Sequence, residues 1–563
     1  GTPNILQSSR LKANRSSHLV IPSHPIKGIY GWKEFLPSME GGVMPFEKEL
    51  KELQERREKA LQMGGPEKIK RRRAQGKLSA RERIDRLLDP GSFFEVGILN
   101  CSDMPGMEDK TPADSKVAGF GKIDGRTVSV VSNDFTVLAG TSSRVAGRKE
   151  SSIKAQAFRS GFPAVYLGEA GGARMPDIMG AKGLASIGGG GHDTFVSRMS
   201  RIRKSPMVTA IMGECYGQPT WMACLSDFVV QLKGSAMGVS GPRVLELAIS
   251  EKITDEELGG WKVHAEITGN TDRVAETEAE CFQIIREYLS YMPSHCDELP
   301  PFKEVPAGSG QDMHRILNWL PEKRNRAYDM NKILSVIVDG GLLFPVKPLF
   351  ARMVITSLAR IGGRVVGIIA NQPMVNAGAM DTNGIDKCIS FLCLCDSFNI
   401  PLIFFHDTPG FLVGKAAERN RVGARVMNFM NALGQITVPK IAVIVRKSYG
   451  MAFWNMAGSG CGSEFLVAWP TAEMSFVAPE IAANVVFAGK LKESPGLAAQ
   501  RDEMVQEMIK DSAPYPAAGM HYLHDVIDPR ETRDYIIRAL EISQDRRTGG
   551  ISQHLLANWP TKF

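Results

Sequence analysis

The sequence has no long apolar run and few aromatic side chains. No stretch approaches the roughly 18 consecutive apolar residues that a membrane-spanning helix needs, and we therefore expect no membrane span. Aromatic residues make up only 7% of the 563 residues, but hydrophobic residues as a whole make up 43%, which is ample for buried cores. The 56 glycines indicate many tight turns and close backbone approaches. This composition predicts a large soluble globular protein of two to four domains.

Net charge and cysteine are also sparse for this length. A formal net charge of +7 on 563 residues is modest, so we expect no nucleic-acid partner, although a basic surface would suit a small polyanionic ligand. The nine cysteines are scattered, as in proteins of reducing compartments, and we expect the cytoplasm or, in a eukaryote, the mitochondrial matrix. Cys388, Cys393 and Cys395 lack the paired CxxC spacing of a zinc ribbon, so no metal site is predicted.

One apolar segment ends in a bare glycine turn. The stretch Phe162–Arg174 reads FPAVYLGEAGGAR, which is a short buried strand of the kind found in parallel sheets, followed by Gly171 and Gly172. Two consecutive amides without side chains can donate hydrogen bonds to an oxygen that gains negative charge during a reaction, as oxyanion holes do. A plain turn is the alternative, because glycine is the default turn residue.

The second half of the chain repeats the first. FPAVYLGEAGGAR is matched by IPLIFFHDTPGFL, which begins at Ile400, and GKIDGR is matched by ARIGGR, which begins at Ala359, both at an offset of 238 residues. SPMVTAIMGECYG corresponds to VPKIAVIVRKSYG at an offset of 233 residues, and AMGVSGP corresponds to MSFVAP at 237. Four matches in the same order at nearly one spacing predict two homologous α/β lobes, each with a βαβ succession.

The repeat divides the chain into an extension and two lobes. Residues 1–43 show no sustained periodicity and are predicted to be an N-terminal extension, with the first lobe at 44–310 and the second at 325–563. A charged helix with i,i+4 ion pairs is expected from Pro45. The basic run Lys68–Arg73 that follows is either a solvated face or a phosphate contact, since arginine matches the geometry of phosphate oxygens.

Several motifs resemble those of one enzyme family. GKLSARERIDRLLDPGSF, GEAGGARM, DTPGF, AWPTAEMSF and the tripeptide Asn371-Gln372-Pro373 resemble the carboxyltransferase (beta) subunit of biotin-dependent acyl-CoA carboxylases, such as the propionyl-CoA and methylcrotonyl-CoA enzymes. The resemblance runs from about Phe46 to the C-terminus. It implies two crotonase-like ββα superhelix lobes, of which the first binds acyl-CoA and the second, from another protomer, binds biotin. It also implies a homo-oligomer, expected to be a hexamer.

The resemblance assigns roles to individual residues. Gly171 and Gly172 would hold the acyl carbonyl, whereas Met451 and Ala452, in SYGMAFW at the start of a helix, would hold the biotin carbonyl. These two pairs are the predicted catalytic groups. The predicted substrate-binding residues are Ala170, Ala173, Arg174, Gly217, Trp454 and Arg72.

The chemistry that the resemblance implies needs no protein base. Carboxybiotin decomposes to CO2 and a biotin anion, the anion removes the α-proton of the acyl-CoA, and the enolate attacks CO2. The protein then has to stabilise two oxyanions, which backbone amides do without reorganising. His406 and Asp407 are neighbours in a strand and point to opposite faces, so they are interpreted as structural rather than as a catalytic pair. His192, after the glycine run 188–191, is expected in a loop over the acyl-CoA entrance.

Two tryptophans depart from the family pattern. Where propionyl-type enzymes have Gly-Gly-Ala-Tyr-Asp, this chain has Gly450-Met451-Ala452-Phe453-Trp454, and the aspartate position helps to set acyl-chain choice in the family. In the first lobe Gly217-Gln218-Pro219-Thr220-Trp221 replaces a more glycine-rich stretch. We therefore expect a reshaped acyl pocket. If the Trp454 indole instead packs behind its helix as ordinary core, it would not affect substrate choice.

Parts of a complete carboxylase are missing from the sequence. It shows no ATP-grasp region and no Met-Lys-Met tripeptide, so biotin is expected on a separate polypeptide, a biotin carboxylase or biotin carboxyl carrier subunit. Two alternatives stay open. One is a decarboxylase subunit of the glutaconyl-CoA type, which passes carboxylate to biotin, and the other is a non-catalytic scaffold that keeps the repeat. The intact Gly171-Gly172 pair argues against the scaffold.

Overall fold

The computed structural model describes residues 45–187, 199, 202–487, 497–543 and 554–559. The predicted extension 1–43 and the glycine run 188–191 with His192 lie outside these residues. Phe46–Phe563 form one compact unit.

The first sheet has eight strands and follows the predicted βαβ succession. Its strands are β1 (Phe94–Glu95), β2 (Lys116–Ile123), β3 (Arg126–Asn133), β4 (Ala164–Ala170), β5 (Met207–Tyr216), β6 (Phe228–Leu232), β7 (Ala236–Gly238) and β8 (Arg273–Ala275). They pair in the order β1-β2-β3-β4-β5-β6-β8, with β7 on β5, and every pair from β3 onward is parallel. The hairpin predicted at Asp124-Gly125 joins β2 to β3 in antiparallel register and is confirmed.

The second sheet reproduces this order strand for strand. Its strands are β9 (Leu343–Val346), β10 (Val354–Ile361), β11 (Arg364–Asn371), β12 (Leu402–Thr408), β13 (Lys440–Tyr449), β14 (Phe465–Ala468), β15 (Glu473–Ser475) and β16 (Asp525–Val526). They pair in the order β9-β10-β11-β12-β13-β14-β16, with β15 on β13. Even the register shift near the end of β4 recurs near the end of β12. The predicted α/β fold with an internal repeat is therefore confirmed.

The α-helices precede the first strand, connect strands and follow the last strand. Their bounds are Glu47–Leu61, Pro66–Ala74, Ala80–Leu87, Arg144–Ser160, Met175–Ile178, Gly180–Ile187, Gln218–Leu225, Pro242–Ile249, Asp255–Gly259, Glu278–Tyr291, Ile316–Trp319, Met330–Ile337, Thr382–Ser397, Lys415–Arg419, Val422–Gln435, Met451–Asn455, Pro479–Val486, Leu497–Asp511, Pro514–Gly519 and Thr532–Ser543. Across the described ranges, no helix combines the length and the apolar character that a bilayer crossing requires.

The two sheets share one hydrophobic core. The central strands β4 and β12 are buried on both faces, as parallel strands between helices are. The ring centroids of Phe344 in β9 and Phe228 in β6 are 5.5 Å apart. Phe228 in turn stacks on Tyr288, with centroids 4.2 Å apart. Aromatic side chains therefore pack across the division predicted between 44–310 and 325–563, and that division stays a prediction.

Candidate active site

The strand β4 ends in a turn that backbone hydrogen bonds hold from both sides. The Gly171 N–H donates to the Ala139 carbonyl at 3.0 Å. The Ser142 N–H donates to the Gly172 carbonyl at 2.9 Å, and the Ser142 carbonyl accepts from the Arg174 N–H at 2.7 Å. The residues before and after Gly172 are thus tied to the neighbouring segment, which fixes the turn.

Two amides of this turn are left for another acceptor. Among the described residues, the N–H groups of Gly172 and Ala173 have no hydrogen-bond partner. Gly172 has a φ of +107°, which residues with a side chain rarely adopt. Of the predicted donor pair, the Gly171 amide is already bonded to the Ala139 carbonyl, and the Gly172 amide remains available.

A buried ion-pair network fixes the strand just before the turn. Glu169 is 1% exposed, and its Oε2 lies 2.5 Å from Arg72 Nη2 and 2.6 Å from Arg83 Nη1. Arg83 also contacts Glu278, with Nη2 2.7 Å from Oε1. Burial raises the pKa of the Glu169 carboxyl, but the charge of Arg83 and the hydrogen bonds from Arg72 outweigh burial and hold the pKa below its usual range. The Arg72 guanidinium, predicted to bind substrate, is buried in this network, and its contact with substrate stays a prediction.

The second lobe neutralises the equivalent carboxylate in a different way. Asp407, the repeat counterpart of Glu169, pairs with Arg446 of β13 at 2.9 Å between Oδ2 and Nε. The first lobe has Gly213 at the position of Arg446, and a Cβ placed there would lie only 2.4 Å from Glu169 Oε1. A side chain at 213 would therefore displace the Glu169 carboxylate.

Two other predicted substrate-binding residues are buried as well. Arg174 is 4% exposed, and its Nη1 lies 2.7 Å from Asp114 Oδ1 while Nη2 donates to the Thr141 carbonyl at 3.1 Å. Ala170 is fully buried and pairs with Cys215 of β5. Both side chains are buried beside the turn, and their contact with substrate stays a prediction.

Gly217 lies beside the first turn. Its N–H donates to the Gly238 carbonyl at 3.0 Å, its φ is +71°, and it opens the helix Gln218–Leu225. The Tyr216 carbonyl would lie 3.7 Å from a Cβ placed on Gly172. The structure thus brings the end of β4 and the end of β5 together, as the prediction of one acyl-side site requires.

The second lobe presents its amides at the start of a helix. Gly450 has a φ of +55°, its N–H donates to the Ser475 carbonyl at 3.0 Å, and its carbonyl accepts from the Phe453 N–H at 3.1 Å. The N–H groups of Met451 and Ala452 come first in the helix Met451–Asn455 and have no partner within the described ranges, as expected for a first helical turn. This is the predicted second donor pair.

Trp454 is neither fully exposed nor fully buried. Its indole meets the Phe453 ring edge-on, with centroids 5.6 Å apart, and packs against the shared core while one part stays accessible. It lies in the same helical turn as Met451 and Ala452. An indole in that position can contact both the core and a ligand.

His406 is a packed, neutral side chain. It is fully buried, its Nδ1 lies 2.9 Å from Ser448 Oγ, and burial lowers the pKa of its ring to about 3. This agrees with the structural interpretation of the histidine. In the described part of the chain, no group of His, Cys, Asp and Glu side chains is arranged to hold a metal ion.

Sequence reasoning missed Glu169, Arg83 and Gln218. A carboxylate in the otherwise apolar strand AVYLGEA was an available signal for Glu169, because a buried charge requires a partner. Ser79 and Glu82 form a capping box, which sets the start of the helix Ala80–Leu87 and turns Arg83 inward. No sequence signal indicated Gln218, because its hydrogen-bond partners, Glu150 and Ser142, are distant in the chain.

The described site consists of two sets of backbone amides, one after β4 of the first lobe and one after β13 of the second. Such a site belongs to enzymes that stabilise oxyanions. The carboxyl transferase domain model matches residues 71–554. The carboxyltransferase subunit of propionyl-CoA carboxylase from Haloferax mediterranei is 35% identical over 512 residues, which are 90% of this chain and 98% of the relative. The alpha subunit of methylmalonyl-CoA decarboxylase from Propionigenium modestum is 33% identical over 505 residues, 89% of this chain and 96% of the relative.

A solved structure agrees with these relatives. The transcarboxylase 12S crystal structure, described as a hexamer assembly with methylmalonyl-coenzyme A bound, has a TM-score of 0.82 and 33% identity, and the match covers 90% of this chain and 97% of that chain. The chain therefore belongs to the carboxyl transferase family. The predicted crotonase-like fold and the prediction of a carboxyltransferase are both confirmed.

Proposed function

We propose that this chain moves a carboxyl group from carboxybiotin, carried by a partner protein, to the α-carbon or vinylogous γ-carbon of an acyl-CoA. The observation that carries the proposal is the pair of amide sets, Gly172 with Ala173 and Met451 with Ala452, which have no acceptor in the described structure. Each set follows a central strand of its lobe. One set per lobe suits a reaction in which two different substrates each develop a charged oxygen.

The chain's own contribution is electrostatic. The first amide set would donate to the thioester oxygen of the acyl-CoA as the α-proton leaves, and the second to the ureido oxygen of biotin. Carboxybiotin, when bound, supplies the carboxyl group and the base. Because the turn at Gly172 is fixed by backbone bonds to Ser142, its amide needs no reorganisation when the charge develops.

We propose further that two protomers complete each site, in an assembly like the hexamer of the 12S relative. Beside each amide set lies an exposed apolar face. In the first lobe it begins at Val239 and continues along the helix Pro242–Ile249, of which no residue is buried and Leu247 is 79% exposed. In the second lobe it begins at Phe476, 77% exposed, and continues along Pro479–Val486.

The two faces are related by the repeat. Val239 corresponds to Phe476, Val244 to Ile481 and Ile249 to Val486, each pair at an offset of 237 residues. Gly238, just before Val239, accepts the Gly217 N–H, and Ser475, just before Phe476, accepts the Gly450 N–H. A second copy of the chain that covers these faces would also bring the two amide sets to one interface.

Placing a charge on the first face should weaken the assembly. We expect Leu247→Glu to raise the dissociation constant between protomers about tenfold or more, because a carboxylate would be buried without a partner. Light scattering over a dilution series measures the change, and turnover should fall with the loss of the larger species. Ile542→Glu, at an equally exposed position of the helix Thr532–Ser543, is the matched control. A monodisperse, fully active wild-type monomer would contradict the shared site.

Trp454 is proposed to set acyl-chain preference. Because part of its indole is accessible beside the second amide set, we expect Trp454→Ala to change the ratio of kcat/KM values between acetyl-, propionyl-, butyryl- and 3-methylcrotonyl-CoA by about tenfold. Trp319→Ala removes a similarly half-buried indole that packs on a different part of the core. That control should lose stability without changing the ratio. An unchanged ratio in a folded Trp454 variant would mean that the indole serves only as core.

The direction of transfer is tested with the same components. The chain is combined with a biotin carboxyl carrier protein, and carboxylation of the acyl-CoA panel is compared with decarboxylation of methylmalonyl-CoA. Similarity to the methylmalonyl-CoA decarboxylase alpha subunit favours the decarboxylase as the second candidate. If neither carboxylation nor decarboxylation occurs, even with free carboxybiotin, the remaining interpretation is a non-catalytic scaffold.

A reducing compartment is proposed as the location. Five cysteines are fully buried as thiols, namely Cys215, Cys281, Cys388, Cys393 and Cys395. Free thiols in this number are typical of the cytoplasm and, in a eukaryote, of the mitochondrial matrix.

A further inference from the structure

A buried charged network lies behind the first turn and has no counterpart behind the second. Glu150 belongs to the helix Arg144–Ser160. Its Oε2 lies 2.9 Å from Lys116 Nζ, and its Oε1 lies 2.7 Å from Lys154 Nζ. Burial alone would raise the pKa of the Glu150 carboxyl, but the two lysines outweigh it and lower the pKa to about 2. The carboxylate is therefore a fixed charge at neutral pH.

Gln218 connects this network to the turn. Its Nε2 donates to Glu150 Oε2 at 2.9 Å, and its Oε1 accepts from the hydroxyl of Ser142. Ser142 is the residue whose N–H and carbonyl both pair with the turn around Gly172. Both Nε2 and Oε1 of Gln218 therefore have a hydrogen-bond partner, and these two bonds set the orientation of the side-chain amide.

The repeat provides an internal comparison. The second lobe has Met451 at the position of Gln218, Met380 at that of Ser142 and Cys388 at that of Glu150. The lysines 116 and 154 are replaced there by Val354 and Leu392. Cys388, Met380, Val354 and Leu392 are all buried in the apolar core. The first lobe therefore maintains five polar side chains where its copy folds with apolar ones.

On the basis of the proposed function, we infer that Gln218 is a positioning residue of the acyl-CoA side. It locks the segment that carries Ser142 to the start of the helix Gln218–Leu225 and so holds the Gly172 and Ala173 amides at the geometry that the charged thioester oxygen requires. A fixed donor geometry acts on the charged state more than on the neutral substrate. Loss of Gln218 should therefore lower kcat and leave KM for the acyl-CoA nearly unchanged.

A double-mutant cycle tests the link. Gln218→Met introduces the residue of the second lobe, and Ser142→Ala removes only the hydroxyl. We expect each to lower kcat about tenfold, as one hydrogen bond allows, with KM within about twofold, and the double variant to be no slower than the slower single variant. Gln54→Met is the control, because Gln54 makes a comparable bond to Glu58 on the exposed face of Glu47–Leu61.

Hydrogen–deuterium exchange supplies a readout that does not need turnover. Gln218→Met should raise amide exchange in residues 139–174 and leave the repeat-related residues 377–412 at wild-type rates. Multiplicative effects on kcat, unchanged exchange in 139–174, or an equal rise in both segments would each overturn the inference. Absence of wild-type carboxyl transfer would instead contradict the proposed function, while the exchange data would still decide the role of Gln218.

Discussion

Replacing Gly172 by valine should lower the rate of carboxyl transfer by about 100- to 1000-fold, which is the usual effect of losing one oxyanion donor. The φ of +107° at this position excludes a β-branched residue without a backbone change, and that change would move the N–H group of Gly172 itself. Among the described residues outside the turn itself, the nearest atom to a Cβ placed there is the Tyr216 carbonyl oxygen at 3.7 Å, so the fold as a whole should accommodate the variant.

The measurement is the formation of carboxylated acyl-CoA from carboxybiotin, together with circular dichroism and Tm to establish folding. Gly434→Val is the control, because Gly434 lies in the helix Val422–Gln435 and a Cβ placed on it would meet no atom of the described residues beyond its own helix within 4 Å. Wild-type turnover in a folded Gly172→Val protein would remove the first turn from the mechanism.

Replacing Arg83 by methionine should destabilise the protein by about 3–5 kcal/mol, since it leaves two buried carboxylates with their main partner missing. Arg83 is fully buried and contacts both Glu169 and Glu278. The shift of the urea denaturation midpoint measures the effect. Arg73→Met is the matched control, because Arg73 pairs with Glu82 at the surface, with 62% of its side chain exposed, and such a pair contributes about 0–1 kcal/mol. Equal losses from the two substitutions would contradict the proposed importance of the buried network.

The same network implies a pH dependence. The pKa of Glu169 is lower in the folded protein than its ordinary value, so its ionised form stabilises the fold at neutral pH. That contribution is complete above the unfolded pKa of about 4.3 and is lost as the pH falls through the folded value. The difference in stability between wild type and Arg83→Met should therefore be largest near neutral pH and shrink below about pH 4.

Much of the architecture was predictable because it depends on local signals. Apolar runs bounded by glycine predicted β4 and β12, the dipeptide Asp124-Gly125 predicted a hairpin, and the internal repeat predicted two matching sheets. The second amide set was predictable for a different reason. The family resemblance assigned Met451 and Ala452 to the start of a helix, where the first N–H groups are unpaired.

The contacts that the sequence did not predict depend on partners far away in the chain. The basic run gave no indication of which arginine turns inward. Arg72 does so because it pairs with Glu169, which lies 97 residues later in the chain. The Gly171 N–H donates to the Ala139 carbonyl, and Ala139 lies in an irregular turn with a φ of +54°. Neither contact follows from spacing or composition, since both arise only when β4 is placed beside the preceding segment.

The two lobes, although built alike, differ in how self-sufficient they are. The second sheet contains the cation for its own buried carboxylate, because Arg446 and Asp407 are on neighbouring strands. The first sheet borrows its cations from helices that precede it in the chain, through Arg72 and Arg83. An excised second lobe would keep its electrostatic partner, whereas a first lobe cut or permuted after residue 87 would retain every strand and lose Arg72, Lys77 and Arg83, the cations that contact Glu169. The charge balance of the first sheet thus depends on helices at the start of its own lobe, whereas that of the second sheet is contained in its strands.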